Sequence, residues 1–380
     1  MYLMYQSEKV LHRAENGTVT VVNPKMLPFS IQKDAVTIED LIFWIDARAM
    51  NVGRTNAKAL LTSLHIPLSN YAIAMACRGL STNDCYWLCG DDEQIEWGAI
   101  NPFTHYHNLP ISSKSLLGID TENIRLPDRK TKIHTPEITM QGVASKCIIR
   151  KGTDLWLYKI SDREVYASRV LDLLIPQTHV PYSFITDAEL KEITTPEKYR
   201  EIKEQGLLVS ECKLFTSSTV NFVNLEDIDT FYATQDINIW DDMNRLFKNL
   251  SISPYIYNQM CVVDYLIGNT DRHGQNWGFI FTNANQITSQ APLFDHDNSF
   301  LPTRDIKSQV TGTDCSMEEL ACMKYCDADI RIPSEREVMA LDIPEQYKEY
   351  VIHSCNTLLA NTNKRSQGIT MEQDVDEREL

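Results

Sequence analysis

Asp264-Tyr265-Leu266-Ile267-Gly268-Asn269-Thr270-Asp271-Arg272-His273-Gly274-Gln275-Asn276-Trp277 is the stretch from which the fold of this chain is read. It closes a helical pattern over residues 255–267, where Ile256, Met260, Val263, Leu266 and Ile267 fall on roughly one face. Gly268-Asn269 ends that helix, and a tight polar loop follows. Within six residues the loop offers a carboxylate (Asp271), an imidazole (His273) and an amide (Asn276), then enters an apolar strand over 277–281. Asn283-Ala284-Asn285 turns the chain, which returns through Ala291-Pro292-Leu293-Phe294 to Asp295-His296-Asp297-Asn298-Ser299. This order predicts a β-hairpin that brings Asp295 back beside Asn276.

Those residue types suit phosphoryl transfer, which needs a group to orient and deprotonate an attacking hydroxyl and hard oxygens to hold Mg²⁺ against phosphates. Asp271 has the chemistry of the base, and Asn276 and Asp295 that of the metal ligands. Asp297 reads as a second ligand or as a solvated turn residue. A lone cluster of Asn, Asp and Gly is ordinary turn chemistry, and an Asp there often caps a loop. The ordered recurrence of acid, imidazole, amide and, after a hairpin, a second acid favours the catalytic reading.

Outward from this loop, residues 1–34 read as a β-rich segment, with strands over 1–10 and 18–22 and the turn Glu15-Asn16-Gly17. Thr37 and Asp40 form a helix-start pattern, and further helices are expected over 54–64 and 68–78, the last stopped by Gly79. Residues 35–100 are therefore read as a small helical subdomain. Within it, the polar-aromatic segment 81–92 with Tyr86-Trp87 reads as a loop, packed on the core by its aromatics or serving as a docking surface. Residues 101–136 form a connector. From 137 to 215 the order is strand (147–149), strand (155–160), helix (163–174), strand (207–215). Residues 216–360 are mainly helical apart from the interval 277–294, and 361–380 is an acidic tail expected to be disordered.

The chain has 380 residues, 43% apolar and 23% charged, and has ample length for a sizeable core. Its formal net charge of −16 argues against a broad basic face for nucleic acid. The pairs Cys85/Cys89 and Cys322/Cys326 lack the CxxC spacing and nearby histidines of a zinc site. No signal peptide and no apolar run of ~18 residues is visible, so a cytoplasmic protein without membrane contact is expected.

Asn269-x-Asp271-x-His273-x-x-Asn276, followed by an apolar hairpin and Phe294-Asp295 before a short turn to Ser299, resembles the catalytic and metal-binding loops of HipA-like serine/threonine protein kinases. The resemblance implies an α+β, two-lobed protein-kinase-like fold, here preceded by a small N-terminal strand and helix subdomain. It implies ATP and Mg²⁺ as cofactors, Asp271 as the catalytic carboxylate, His273 as a loop-organising or transition-state contact, and Asn276 and Asp295 as metal ligands. Residues 139–146, with Gly142, Ser145 and Lys146, resemble the family's phosphate-covering loop. Lys159 stands where a kinase lysine meets the α- and β-phosphates, Glu164 is its ion-pair partner, and Ser210 to Lys213 form the adenine hinge, with Glu211, Cys212 and Lys213 acting mainly by position. Self-phosphorylation in the phosphate loop would fall on Thr139 or Ser145. The implied partners are a protein substrate and, as in many members, a small DNA-binding antitoxin, although the N-terminal part departs from that arrangement.

Phosphoinositide-type lipid kinases carry a similar Asp-Arg-His-x-x-Asn loop. They require a basic segment for anionic headgroups, yet between His296 and Cys315 Arg304 and Lys307 are balanced by Asp297, Asp305 and Asp314. A non-catalytic nucleotide-binding regulator on the same frame is the remaining alternative. The single glycine of the phosphate loop favours it and the complete Asp271/Asn276/Asp295 set opposes it.

Overall fold

The computed structural model describes residues 1–54, 57–104, 136–282, 285–303, 306–312 and 314–366. A hairpin opens the chain, β1 (Tyr2–Tyr5) pairing antiparallel with β2 (Glu8–Arg13). The expected turn at residues 15–17 follows, and β3 (Val19–Val21) pairs back on β2. Thr37 then opens α1 (Ile38–Asp46) with a full capping box. Its side chain accepts from the Asp40 amide and the Asp40 carboxylate accepts from the Thr37 amide, which satisfies two helix-end donors at once. Two short helices, α2 (Ala57–Ser63) and α3 (Asn70–Ala76), complete the expected helical stretch.

The segment read as a loop carrying aromatic anchors is instead a strand, β4 (Tyr86–Cys89). It lies antiparallel on the free edge of β1 and completes a four-stranded sheet in the order β3-β2-β1-β4. All its residues are buried, so it lacks the in–out alternation that would have marked it. Residues 105–135, most of the predicted connector, lie outside the described residues.

The second sheet is built from β5 (Lys146–Lys151), β6 (Asp154–Ile160), β7 (Tyr182–Phe184) and β8 (Val209–Lys213) in the order β5-β6-β8-β7, every pair antiparallel. The expected helix, α4 (Arg163–Leu174), follows β6. The polar interval after it holds β7 and two helices that periodicity did not disclose, α5 (Asp187–Ile193) and α6 (Pro196–Glu204).

A third sheet, ordered β11-β10-β9, contains the predicted hairpin. β10 (Gly278–Thr282) and β11 (Gln286–Gln290) pair antiparallel, and β9 (Asn221–Asn224) joins the outer side of β10. Around it pack α7 (Leu225–Ala233), α8 (Met243–Leu250), α9 (Tyr255–Leu266), α10 (Met317–Ala328), α11 (Glu335–Met339) and α12 (Glu345–Ser366). The architecture is α+β, mostly antiparallel sheets with helices gathered toward the C-terminal side. α12 also corrects the expected start of the tail. The helix continues through 361–366, where the Asn361 amide donates to the Glu318 carboxylate of α10 at 2.5 Å. Residues 367–380 lie outside the described residues. No helix among the described residues is long and apolar enough to cross a membrane.

One hydrophobic cluster extends from Leu3 of β1 through Val223 of β9 and Met260 of α9 to Leu358 of α12. The hairpin that returns Asp295 is therefore fixed by the main core. Its closest backbone approach is at Gly278, where an added Cβ would lie 2.1 Å from the Val223 carbonyl oxygen of β9. Gly278→Ala is expected to force β9 and β10 apart and cost about 1–3 kcal/mol, as overpacking does. Urea denaturation of the variant would check this, and an unchanged midpoint would contradict it.

Candidate active site

The site begins with α9, whose residues from Tyr257 to Leu266 are all buried. From its last turn the Asp264 carboxylate accepts from the Asn269 side-chain amide at 2.8 Å and from Arg272 Nε and Nη2 at 2.9 and 3.0 Å. The remaining terminal nitrogen of Arg272, Nη1, donates to the carbonyls of Asn276 and Phe294, 2.7 Å each. A single buried guanidinium thus joins the helix end, the polar loop and the returning strand. It places the residue before Asp295 against Asn276, the juxtaposition expected of the hairpin.

Within the loop, the Asn276 amide donates to the Asp271 carbonyl at 2.9 Å. The Asp271 carboxylate receives the Asn298 amide on Oδ2 at 2.9 Å. The His273 carbonyl accepts from the Asn276 amide N–H at 2.9 Å, and its Nδ1 accepts from the Gln275 N–H at 3.3 Å.

Across the cleft, Lys159 lies near the end of β6, opposite Lys146 of β5 and Ser210 of β8. Its ammonium is 3.0 Å from Glu164 of α4, 2.6 Å from Asp295 and 3.4 Å from Asp297. The sequence-expected pair with Glu164 is thereby present and wholly buried. Ser161 hydrogen-bonds Asp297. Glu164, Asp295 and Asp297 each present an oxygen within 4.8 Å of the others, and among the described residues the second, buried Glu164 oxygen meets no hydrogen-bond partner.

The electrostatics follow from this crowding. Burial alone would lower the pKa of Lys159, but Asp295, Glu164 and Asp297 together outweigh it and hold it well above the ordinary lysine value. Burial likewise opposes ionisation of Asp295, yet the charges of Lys159 and Lys146 hold it well below the usual carboxylate range. Glu164 is pushed up to about 8 by burial, against the pull of Lys159. Lys146 is lowered to about 7, first by burial and then by the neighbouring Lys159 charge.

These groups line a cleft of about 440 Å³, a volume suited to a cofactor-sized ligand. Gly142, Lys146, Lys159, Cys212, Lys213, Asp271, His273, Asn276 and Asp295 all face it, with Asp297 and Asn298. Glu211 does not line it. On β8 its side chain instead meets Lys151, which leaves this residue only its position on the strand to contribute. Thr139 is buried and Ser145 half-buried, and neither lines the cleft. Glu164 stands behind the cleft, reaching it through Lys159.

The sequence reading left Arg272 and Asn298 without roles. Arg272 was legible in principle as a charged residue framed by loop residues. Asn298 had no signal beyond its place after the second acid.

Lys146 gives the site a pH-dependent stability. Its folded pKa of about 7 lies below the ordinary 10.5, so the unfolded chain binds more protons between these values and stability rises with pH across that window. Below pH 7 the cost of burying the charge is present in full. The melting temperature of Lys146→Met relative to wild type is therefore expected to be most favourable near pH 6 and to decline toward pH 10. A difference that stays flat across scanning-fluorimetry melts at those pH values would contradict the assignment.

No family model matches the chain. Over 107 residues, 26% of this chain, it is 31% identical to the serine/threonine-protein kinase CtkA of Helicobacter pylori. The matched segment spans 33% of that relative's length. A crystal structure of the H. pylori proinflammatory kinase CtkA superposes at a TM-score of 0.39 with 15% identity, covering 58% of this chain and 95% of that one. The HipA of Shewanella oneidensis MR-1, solved with HipB and operator DNA, superposes at a TM-score of 0.50 with 12% identity over 97% of both chains. In partial sequence and in α+β fold, this chain is similar to the HipA-like kinases.

Proposed function

We propose that this chain is an ATP- and Mg²⁺-dependent serine/threonine protein kinase of the HipA-like kind, working on a protein hydroxyl and on itself. The observation that carries the reading is the contact of Lys159 with both Glu164 and Asp295, at 3.0 and 2.6 Å, directly across the cleft from the Asp271 loop. A lysine held by a helix glutamate beside a metal-binding aspartate is the arrangement that protein kinases require.

In this reading residues 137–215 form the small lobe and 216–360 the large lobe, joined at the hinge of Glu211, Cys212 and Lys213. Residues 1–34 and 35–100 precede them, with 101–136 as connector and the tail beginning after α12. The donor set suits magnesium, because Asn276 and Asp295, with Asp297 beside them, supply hard oxygens. The presence of the Lys159 ammonium among Glu164, Asp295 and Asp297 marks this as a place that attracts positive charge. Magnesium bound there supplies neutralisation of phosphate charge.

The rest falls to the chain's own side chains. Asn298 holds Asp271 through Oδ2, and the Asp271 carboxylate would orient a serine or threonine hydroxyl and take its proton as that oxygen attacks the γ-phosphorus, while the bond from the γ-phosphorus to the bridging oxygen breaks and ADP leaves. Lys159 and Lys146 set the phosphates, and Gly142 lets the loop backbone approach them. The half-buried Ser145, rather than the enclosed Thr139, is the better self-phosphorylation site.

By analogy with the HipA neighbour solved together with HipB and operator DNA, a small antitoxin-like protein is proposed as partner. The net charge of −16 leaves direct DNA contact to that partner. A cytoplasmic location accompanies this reading.

Loss of a positioned general base costs ~10²–10⁴-fold in rate. Asp271→Asn is expected to lose phosphate transfer by at least ~10²-fold while keeping its fold and its affinity for ATP. Intact-mass spectrometry after incubation with ATP and Mg²⁺ would show added phosphate on wild type and none on the variant. Equal modification of both proteins would refute the assignment of Asp271.

A further inference from the structure

The expected phosphate-covering loop is fastened from outside the proposed kinase lobes. Ile138, at its root, is fully buried in a separate hydrophobic cluster with Ala49, Met50, Leu60, Leu61 and Ile73. The carbonyl of Ile138 accepts from the Met50 amide at 2.8 Å. Arg54 is itself buried and donates from Nη2 to the Met140 carbonyl at 3.1 Å. The side-chain amide of Gln141 donates to the carbonyls of Ala47 and Ala49, 2.7 Å each, just past the end of α1. Ala47 is the C-cap of α1 and Ala49 lies just beyond it, so the Gln141 amide ties the loop to the segment by which the chain leaves the helix.

The same segment meets the cleft on its inner side. The Gln141 carbonyl accepts from the Lys146 ammonium at 2.6 Å. Gly142, at φ +93°, passes so close to that ammonium that an added Cβ would lie 2.6 Å from it. Beyond this root the tip is open, Val143 being 63% exposed. The N-terminal part grips the opposite wall as well. The Thr82 carbonyl accepts from the Thr216 hydroxyl at 2.6 Å, and the Asn83 carbonyl from the Phe222 amide at 2.7 Å. Asn51, Ser81, Thr82 and Asn83 line the cleft themselves.

We propose that the N-terminal strands and helices are a working part of the nucleotide site, with Gln141 and Arg54 as positioning residues that hold the phosphate loop against the end of α1. This inference rests on the kinase reading above and assigns its N-terminal part a task within it. The loop root is set by contacts to residues 47–54, the far wall by contacts to residues 82–83, and one folded unit thereby fixes the width of the cleft. Binding of the triphosphate depends on this span, and the chemistry at Asp271 does not.

The test is nucleotide affinity in the full chain, measured with a fluorescent ATP analogue and Mg²⁺, beside kcat and KM for self-phosphorylation. Gln141→Ala removes two neutral hydrogen bonds and is expected to weaken ATP binding about tenfold, with kcat at saturation kept within about twofold. Gln141→Glu is expected to bind more weakly still, because a carboxylate would face two carbonyl oxygens. Arg54→Lys keeps the buried charge but loses the planar donor fork, and is expected to raise KM in the same direction. Gln141 is exposed, so melting temperatures of its variants near that of wild type are expected to accompany the loss. Wild-type affinity in Gln141→Ala and Gln141→Glu would overturn the brace while leaving the kinase reading in place. A wild-type chain that binds no nucleotide would overturn both.

Discussion

A single buried guanidinium organises the centre of this molecule. Arg272 sits almost without solvent between Asp264, the Asn276 carbonyl and the Phe294 carbonyl, and each of its donors toward them lies at 2.7–3.0 Å. Burying such a charge is costly unless it is paired and hydrogen-bonded, and here it is paired with Asp264 and makes four hydrogen bonds. A lysine could neutralise Asp264, but it has no fork with which to reach the Asn276 and Phe294 carbonyls as well. The loop bearing Asp271 and the strand delivering Asp295 are consequently held in one register by one side chain.

Around that tie the charges form two layers. Behind the cleft, Asp264 and Arg272 neutralise one another and set the backbone. At its surface, Lys159 is shared by Glu164, Asp295 and Asp297, with Lys146 close enough to lower the pKa of Asp295 and to be lowered itself. The inner layer is a closed arrangement of complementary groups. The outer one keeps an acid oxygen of Glu164 unpartnered and a lysine near neutrality, an uneven balance that a multiply charged ligand can alter.

The sequence was most readable where local chemistry sets the structure. The Thr37/Asp40 capping box, the helix 163–174 and the hairpin after Asn276 follow from spacing within a few residues, the Lys159–Glu164 pair was implied by the family resemblance, and all are present. The failures have a shared cause. β4 and β9 are four-residue strands recruited by distant partners, and α7 begins directly where β9 ends. The C-terminal end of α12 is polar, yet packing on α10 and the Asn361–Glu318 contact carry the helix past residue 361. Asn298 belongs with these, because its bond to Asp271 joins residues 27 apart and nothing local announces it. Tertiary context decided each of these elements.

The contact between Tyr86 and Asn285 has a consequence for how the chain is made. The Tyr86 hydroxyl donates to the Asn285 side chain at 2.7 Å, and that same side chain donates to the Leu27 carbonyl. Phe29 meets Phe281 edge-to-face at 5.6 Å beside them. As the ribosome releases the chain, the first sheet is complete once residue 89 emerges, but the hairpin that covers these groups arrives about two hundred residues later. At elongation rates of about 5–20 residues per second, the gap lasts on the order of ten seconds or longer. Throughout that interval Tyr86 and Phe29 lack the partners that Asn285 and Phe281 supply in the folded chain.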